Sequence, residues 1–104
     1  MTPAEFKRIV TAVDPNAARY DSAYRGSRAY TVWREVESLG FMADGEHQGA
    51  MSYQVDRFTK EQDDPIAAAL YQALEQNDRV AFRYLVDYER DTRYIHHIFD
   101  CEAI

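Results

Sequence analysis

Apolar and polar positions follow two spacings along this chain, and the switches between them mark the elements. Phe6, Ile9, Val10 and Val13 recur at the interval of one helical face. Thr2, Pro3 and Glu5 supply a capping box and a helix-compatible first position. Asp14-Pro15 ends the helix, because a residue preceding proline is pushed out of the helical region. Residues 14 to about 28 carry no strong period and read as a connection, with room for a short helical turn through Ala17 to Tyr20.

From Ala29 to Glu37 the alternation is that of a strand. Tyr30, Val32 and Val36 fall on one face, Thr31, Glu35 and Glu37 on the other, and Trp33 breaks the rule. Ser38 to Gly49 holds three glycines and Asp44 and reads as a long hairpin loop, with Phe41 and Met42 stranded in it. A second strand runs from about Ala50 to Phe58, with Met51, Tyr53 and Val55 inward. Asp63 or Asp64 then caps a helix opened by Pro65, whose stripe is Ile66, Ala69, Leu70, Ala73 and Leu74. Asn77-Asp78 breaks it. Val80, Phe82, Tyr84 and Val86 point inward from a third strand, the turn Glu89 to Thr92 follows, and Tyr94 to Cys101 forms a fourth. The order α-β-β-α-β-β predicts one α+β domain over residues 1–104. Its expected architecture is a mostly antiparallel four-stranded sheet with two helices packed on one face.

Composition then narrows the function. One chain of 104 residues, 46% hydrophobic and 13% aromatic, suits a single modest core. Eighteen acidic against twelve basic residues leave a net charge of -6, which disfavours general nucleic-acid binding through phosphates. Cys101 is the only cysteine, so no internal disulfide forms and a reducing compartment is expected. The N-terminus lacks the basic and apolar regions of a signal peptide, and no apolar run matches a membrane span.

Residue types capable of chemistry are present, but their spacing works against it. His96 and His97 are strand neighbours and point to opposite faces. His97 and Cys101 share a face but lie roughly 13 Å apart at the usual strand rise. That distance excludes a shared zinc ion and a thiol–imidazole pair, so Cys101 reads as a buried structural thiol. His47 sits in the hairpin loop, away from both. Glu61, Asp63 and Asp64 stand at a helix start, where carboxylates cap free amides. No phosphate-cradling loop or nucleophile motif appears. The expectation is therefore no catalytic residue, no cofactor and no metal.

Two segments carry the residue types that interfaces favour. Arg19, Tyr20, Tyr24, Arg25 and Arg28 interleave cations with aromatics in the first connection. The same mixture can grip single-stranded nucleic acid or stay solvated. Phe41 and Met42 in the glycine-flanked loop are a second candidate contact, or else fold back on the core.

The stretch from Ala29 to Ile104 resembles the tail-terminator, or tail-completion, proteins of long non-contractile phage tails. The resemblance lies in Tyr30-Thr31-Val32-Trp33, a Gly/Asp loop, and Tyr53-Gln54-Val55-Asp56-Arg57-Phe58. It continues through an acidic linker and the alanine-rich helix Asp64 to Leu74, then Tyr84 to Tyr88 and Tyr94 to Asp100. The short length, the His96-His97 pair and the arginine-rich connection depart from that pattern. Family membership implies a structural virion protein and no enzyme. Such proteins typically form a hexameric ring on the finished tail tube, stop its growth, and present a surface for head joining. The implied partners are further copies of itself, the tail-tube protein and a head-completion or connector protein, with DNA only as passing cargo and no membrane. The implied locations are the host cytoplasm during assembly and the virion tail afterwards. A different head–tail connector or minor tail protein, or a small intracellular binding or regulatory module, fits the same residues.

Overall fold

The computed structural model describes residues 1–39, 41–43, 46–48 and 50–104, with the backbone for 41–43 and 46–48. Helix α1 spans Pro3–Val13 and α2 spans Pro65–Glu75. The strands are β1 (Ala18–Arg19), β2 (Tyr30–Ser38), β3 (Phe41–Ala43), β4 (Glu46–Gln48), β5 (Met51–Thr59), β6 (Val80–Glu89) and β7 (Tyr94–Ala103). Among the described residues no helix is long and apolar enough to cross a membrane.

Both helices begin as their sequences dictate. The Thr2 hydroxyl accepts from the Glu5 amide at 3.2 Å and donates to the Glu5 carboxylate at 3.1 Å. Asp64 caps α2 by accepting from the amides of Ile66 and Ala67. Each capping interaction contributes about 1 kcal/mol. Proline follows directly at both starts, where its missing N–H costs nothing.

The sheet departs from the expected four antiparallel strands. It has five, in the order β1-β2-β5-β7-β6, and it is mixed. The residue pair Ala18–Arg19 is not a helical turn but a short strand parallel to β2, opposite Val32 and Trp33. Two residues are too few to leave a period in the sequence. The segment expected as a long hairpin loop after β2 holds a second, two-stranded sheet, with Phe41 opposite Gln48 and Met42 opposite His47.

Both helices lie on one face, as expected, but β2 presents the other phase to them. Phe6, Val10, Leu70 and Leu74 meet Trp33, Tyr53, Val55, Phe99, Cys101 and Ala103 in the main core. Phe6 stacks on Tyr53 with centroids 4.1 Å apart. Trp33, the exception to the sequence alternation, is thus the β2 residue that points at the helices. Tyr30 and Val32 lie on the opposite face, where they form a second cluster with Tyr94, joined by Tyr24 and Phe58. The first connection folds back over that face, so the start of β2 is buried on both sides. A bulge between Glu35 and Glu37 then breaks the alternation, and Val36 ends 47% exposed.

Candidate assembly interface

The arginine- and tyrosine-rich connection lies at the β1 edge and divides into engaged and free side chains. Arg19 donates to the Glu35 carboxylate at 2.6 and 3.0 Å and sits over the Trp33 ring at 5.1 Å. The Tyr20 hydroxyl bonds to the same carboxylate, while most of the residue stays exposed. Arg28 stacks over Tyr24 at 4.3 Å, and its carbonyl accepts from the Tyr94 hydroxyl at 3.1 Å. The Tyr24 carbonyl accepts from the amides of Ser27 and Arg28, closing a turn in which Gly26 takes a φ of +81°. Among the described residues Arg25 has only a 4.0 Å approach to Asp21, with both side chains more than 70% exposed. Such a pair contributes little. Arg19, Tyr24 and Arg28 therefore hold the segment in place, and Arg25 with the Tyr20 ring is what it offers outward. Arg25, Tyr20, Tyr30, Phe58, Tyr94 and Glu89 line a shallow cavity of about 360 Å³ beside it. The side chains of Phe41 and Met42, the second expected contact, lie outside the described residues.

Two features were not anticipated from the sequence. One is a buried ionic cluster. Arg57 donates to Asp64 at 2.8 Å and to the Thr31 hydroxyl at 3.3 Å, and approaches Asp14 at 3.5 Å. All three charged side chains are less than 10% exposed. Asp64 opens α2 and Asp14 closes α1, so one guanidinium ties both helices to β5. The alternation Tyr53, Val55, Arg57 already aims Arg57 at the helices, which was the available signal.

The other feature is the opposite sheet edge. Tyr84, Leu85, Val86 and Tyr88 of β6 are 39 to 56% exposed. Phe82, Tyr84, Val86 and Tyr88 share the helix-covered face, but α2 reaches only the first half of the strand. Tyr71 of α2, itself 39% exposed, contacts the Phe82 and Tyr84 rings edge-on. Among the described residues no strand lies beyond β6.

The histidines occupy opposite faces. His96 stacks on Phe58 at 4.1 Å and bonds to Asp56 at 2.7 Å. His97 bonds to the Tyr84 hydroxyl at 2.6 Å, while its Nε2 is buried without a partner. Burial holds the His97 imidazole below its ordinary pKa. Cys101 is buried, and burial pushes its thiol up to about 12, far from the thiolate a nucleophile needs.

Because the folded His97 binds a proton less readily than the unfolded one, lowering the pH favours unfolding. The loss begins near the ordinary value of about 6.5 and is complete below the folded pKa. Denaturant unfolding at successive pH values should show a steeper acid-side fall for the natural chain than for His97→Gln. Parallel curves would mean that His97 titrates normally.

No protein-family model matches the chain, and no curated protein matches its sequence. What the molecule does has to be read from these surfaces.

Proposed function

We propose that the chain is a structural subunit whose work is assembly, as a ring-forming tail terminator that caps a phage tail tube and prepares it for head joining. The observation that carries this reading is the β6 edge. A ten-residue strand, open along one side and lined by Tyr84, Leu85, Val86 and Tyr88, is a template for another chain. Monomers normally blunt such an edge with charge, proline or a covering segment. Here Arg83 and Asp87 are the only charged residues between Val80 and Tyr88. The resemblance of the strand and helix motifs to tail terminators supplies the kind of assembly. Their ring is heterologous, so each subunit needs two different contact surfaces. The β6 edge offers one such surface, and the Tyr20–Arg25 segment, which lies over the open face of the sheet, offers a second.

In this reading the protein has no substrate, cofactor or metal. Its partners are copies of itself, the tail-tube protein and a head-completion protein. A net charge of -6 suits a ring through which DNA slides without adhering.

A phage complementation assay tests both surfaces. Arg25→Glu and Val86→Lys alter exposed side chains and should leave the melting temperature nearly unchanged. Each is expected to yield elongated tails or unattached heads. Normal infectious particles from both folded variants would remove these surfaces from the assembly.

A further inference from the structure

The free edge of β6 is complementary to itself. The Arg79 carbonyl accepts from the Ile104 amide at 3.0 Å, so Arg79 faces β7. Along the antiparallel ladder the odd-numbered residues from 81 to 89 do the same. The even-numbered residues Phe82, Tyr84, Val86 and Tyr88 therefore aim their amides and carbonyls away from the sheet. Two copies of this edge can exchange hydrogen bonds only where an even position meets an even position.

One such register satisfies the side chains as well. With Leu85 facing Leu85 of a second copy across a two-fold axis, Arg83 of each chain stands opposite Asp87 of the other. On the helix side, Tyr84 then faces Val86 and Phe82 faces Tyr88, aromatic and β-branched pairings that stabilise antiparallel neighbours. A shift of two residues one way puts Asp87 opposite Ala81 and Arg83 opposite Leu85. The other way pairs Arg83 with Glu89 but leaves Asp87 opposite Leu85, so of the three only the first register gives both Arg83 and Asp87 an opposite charge. Both charged groups are available. Arg83 is 75% exposed and reaches Asp100 at 3.0 Å through one nitrogen, leaving other donors of its fork unused. Among the described residues the Asp87 carboxylate accepts only from the Tyr88 amide, at 2.9 Å.

We infer that two copies of the chain pair antiparallel through β6 in this register, joining their five-stranded sheets into one. The inference rests on the assembly reading and names the partner at that edge in the free protein. A two-fold contact closes after two chains and cannot build a ring with two different ends. The pair is thus the resting form, which shields β6 until a tail end displaces it.

Light scattering across a concentration series should give a species of twice 12.1 kDa. Arg83→Asp and Asp87→Arg, each placing like charges opposite one another twice, should weaken the dimer about tenfold or more. The double exchange Arg83→Asp with Asp87→Arg should restore it. Leu85→Cys should cross-link under mild oxidation, since directly opposed residues in this position lie about 4.5 Å apart, within disulfide reach. Buried Cys101 does not compete. Circular dichroism establishes that each variant is folded. A folded chain that stays monomeric at every concentration overturns the pairing. So does a dimer that ignores both charge reversals and fails to cross-link, although that result would leave assembly through another surface standing.

Discussion

Arg57→Ala is expected to lower the unfolding free energy by about 3–5 kcal/mol, the cost of stranding a buried charge partner. The guanidinium neutralises two carboxylates, Asp14 and Asp64, that are as deeply buried as itself. Removing it leaves both without their cation, 3.5 and 2.8 Å from the vacated groups. Asp64 would keep its bonds to the α2 amides, but Asp14 would keep only the Asn16 amide at 3.0 Å. The effect is therefore on the joint between the helices and the sheet and not on one helix alone. Combining Arg57→Met with Asp14→Asn and Asp64→Asn removes the charges together, and should recover most of the loss. Urea unfolding of the three proteins measures this. A single-variant loss below about 1 kcal/mol would mean that water reaches the cluster.

Trp33→Ala should cost a similar amount, about 3–5 kcal/mol, as the usual penalty for emptying a large aromatic site in a core. The indole is 2% exposed, 6.0 Å from the Phe6 ring and 6.5 Å from the Tyr53 ring. It also carries the Arg19 guanidinium on its outer side at 5.1 Å. Its loss should therefore loosen the β1 segment as well as the α1 contact, and hydrogen exchange at Ala18 to Tyr20 should quicken. Val36→Ala, three residues along the same strand and half exposed, is the control and should fall within about 0.5 kcal/mol of the natural chain. Equal effects at the two positions would place the wrong face of β2 against the helices.

Trp33 also marks where local pattern stopped being informative. The helices were legible because their caps, prolines and apolar stripes act within one turn of chain. β5 was legible because only one of its faces meets the helices in a regular alternation. β2 was not, since the connection before it covers Tyr30 and Val32 while the helices cover Thr31 and Trp33, and burial on both faces erases the period. β1 gains its strand character wholly from lying beside β2. The order of strands is likewise a tertiary property: β6 reads like an inward-facing strand, and only its place at the edge leaves Tyr84, Val86 and Tyr88 open. The arginine-rich segment was legible as a candidate surface, but the division between Arg25, which is free, and Arg19 and Arg28, which are held, depends on Glu35 and Tyr24.

Assembly on a tail end is settled by mass. Light scattering or native mass spectrometry of the chain alone should show the β6 pair. With purified tail tubes added, the chain should leave that pool and appear as a closed ring at the tube end. A chain that keeps its free mass in the presence of tubes, and leaves tube ends competent to grow, would contradict a terminator role.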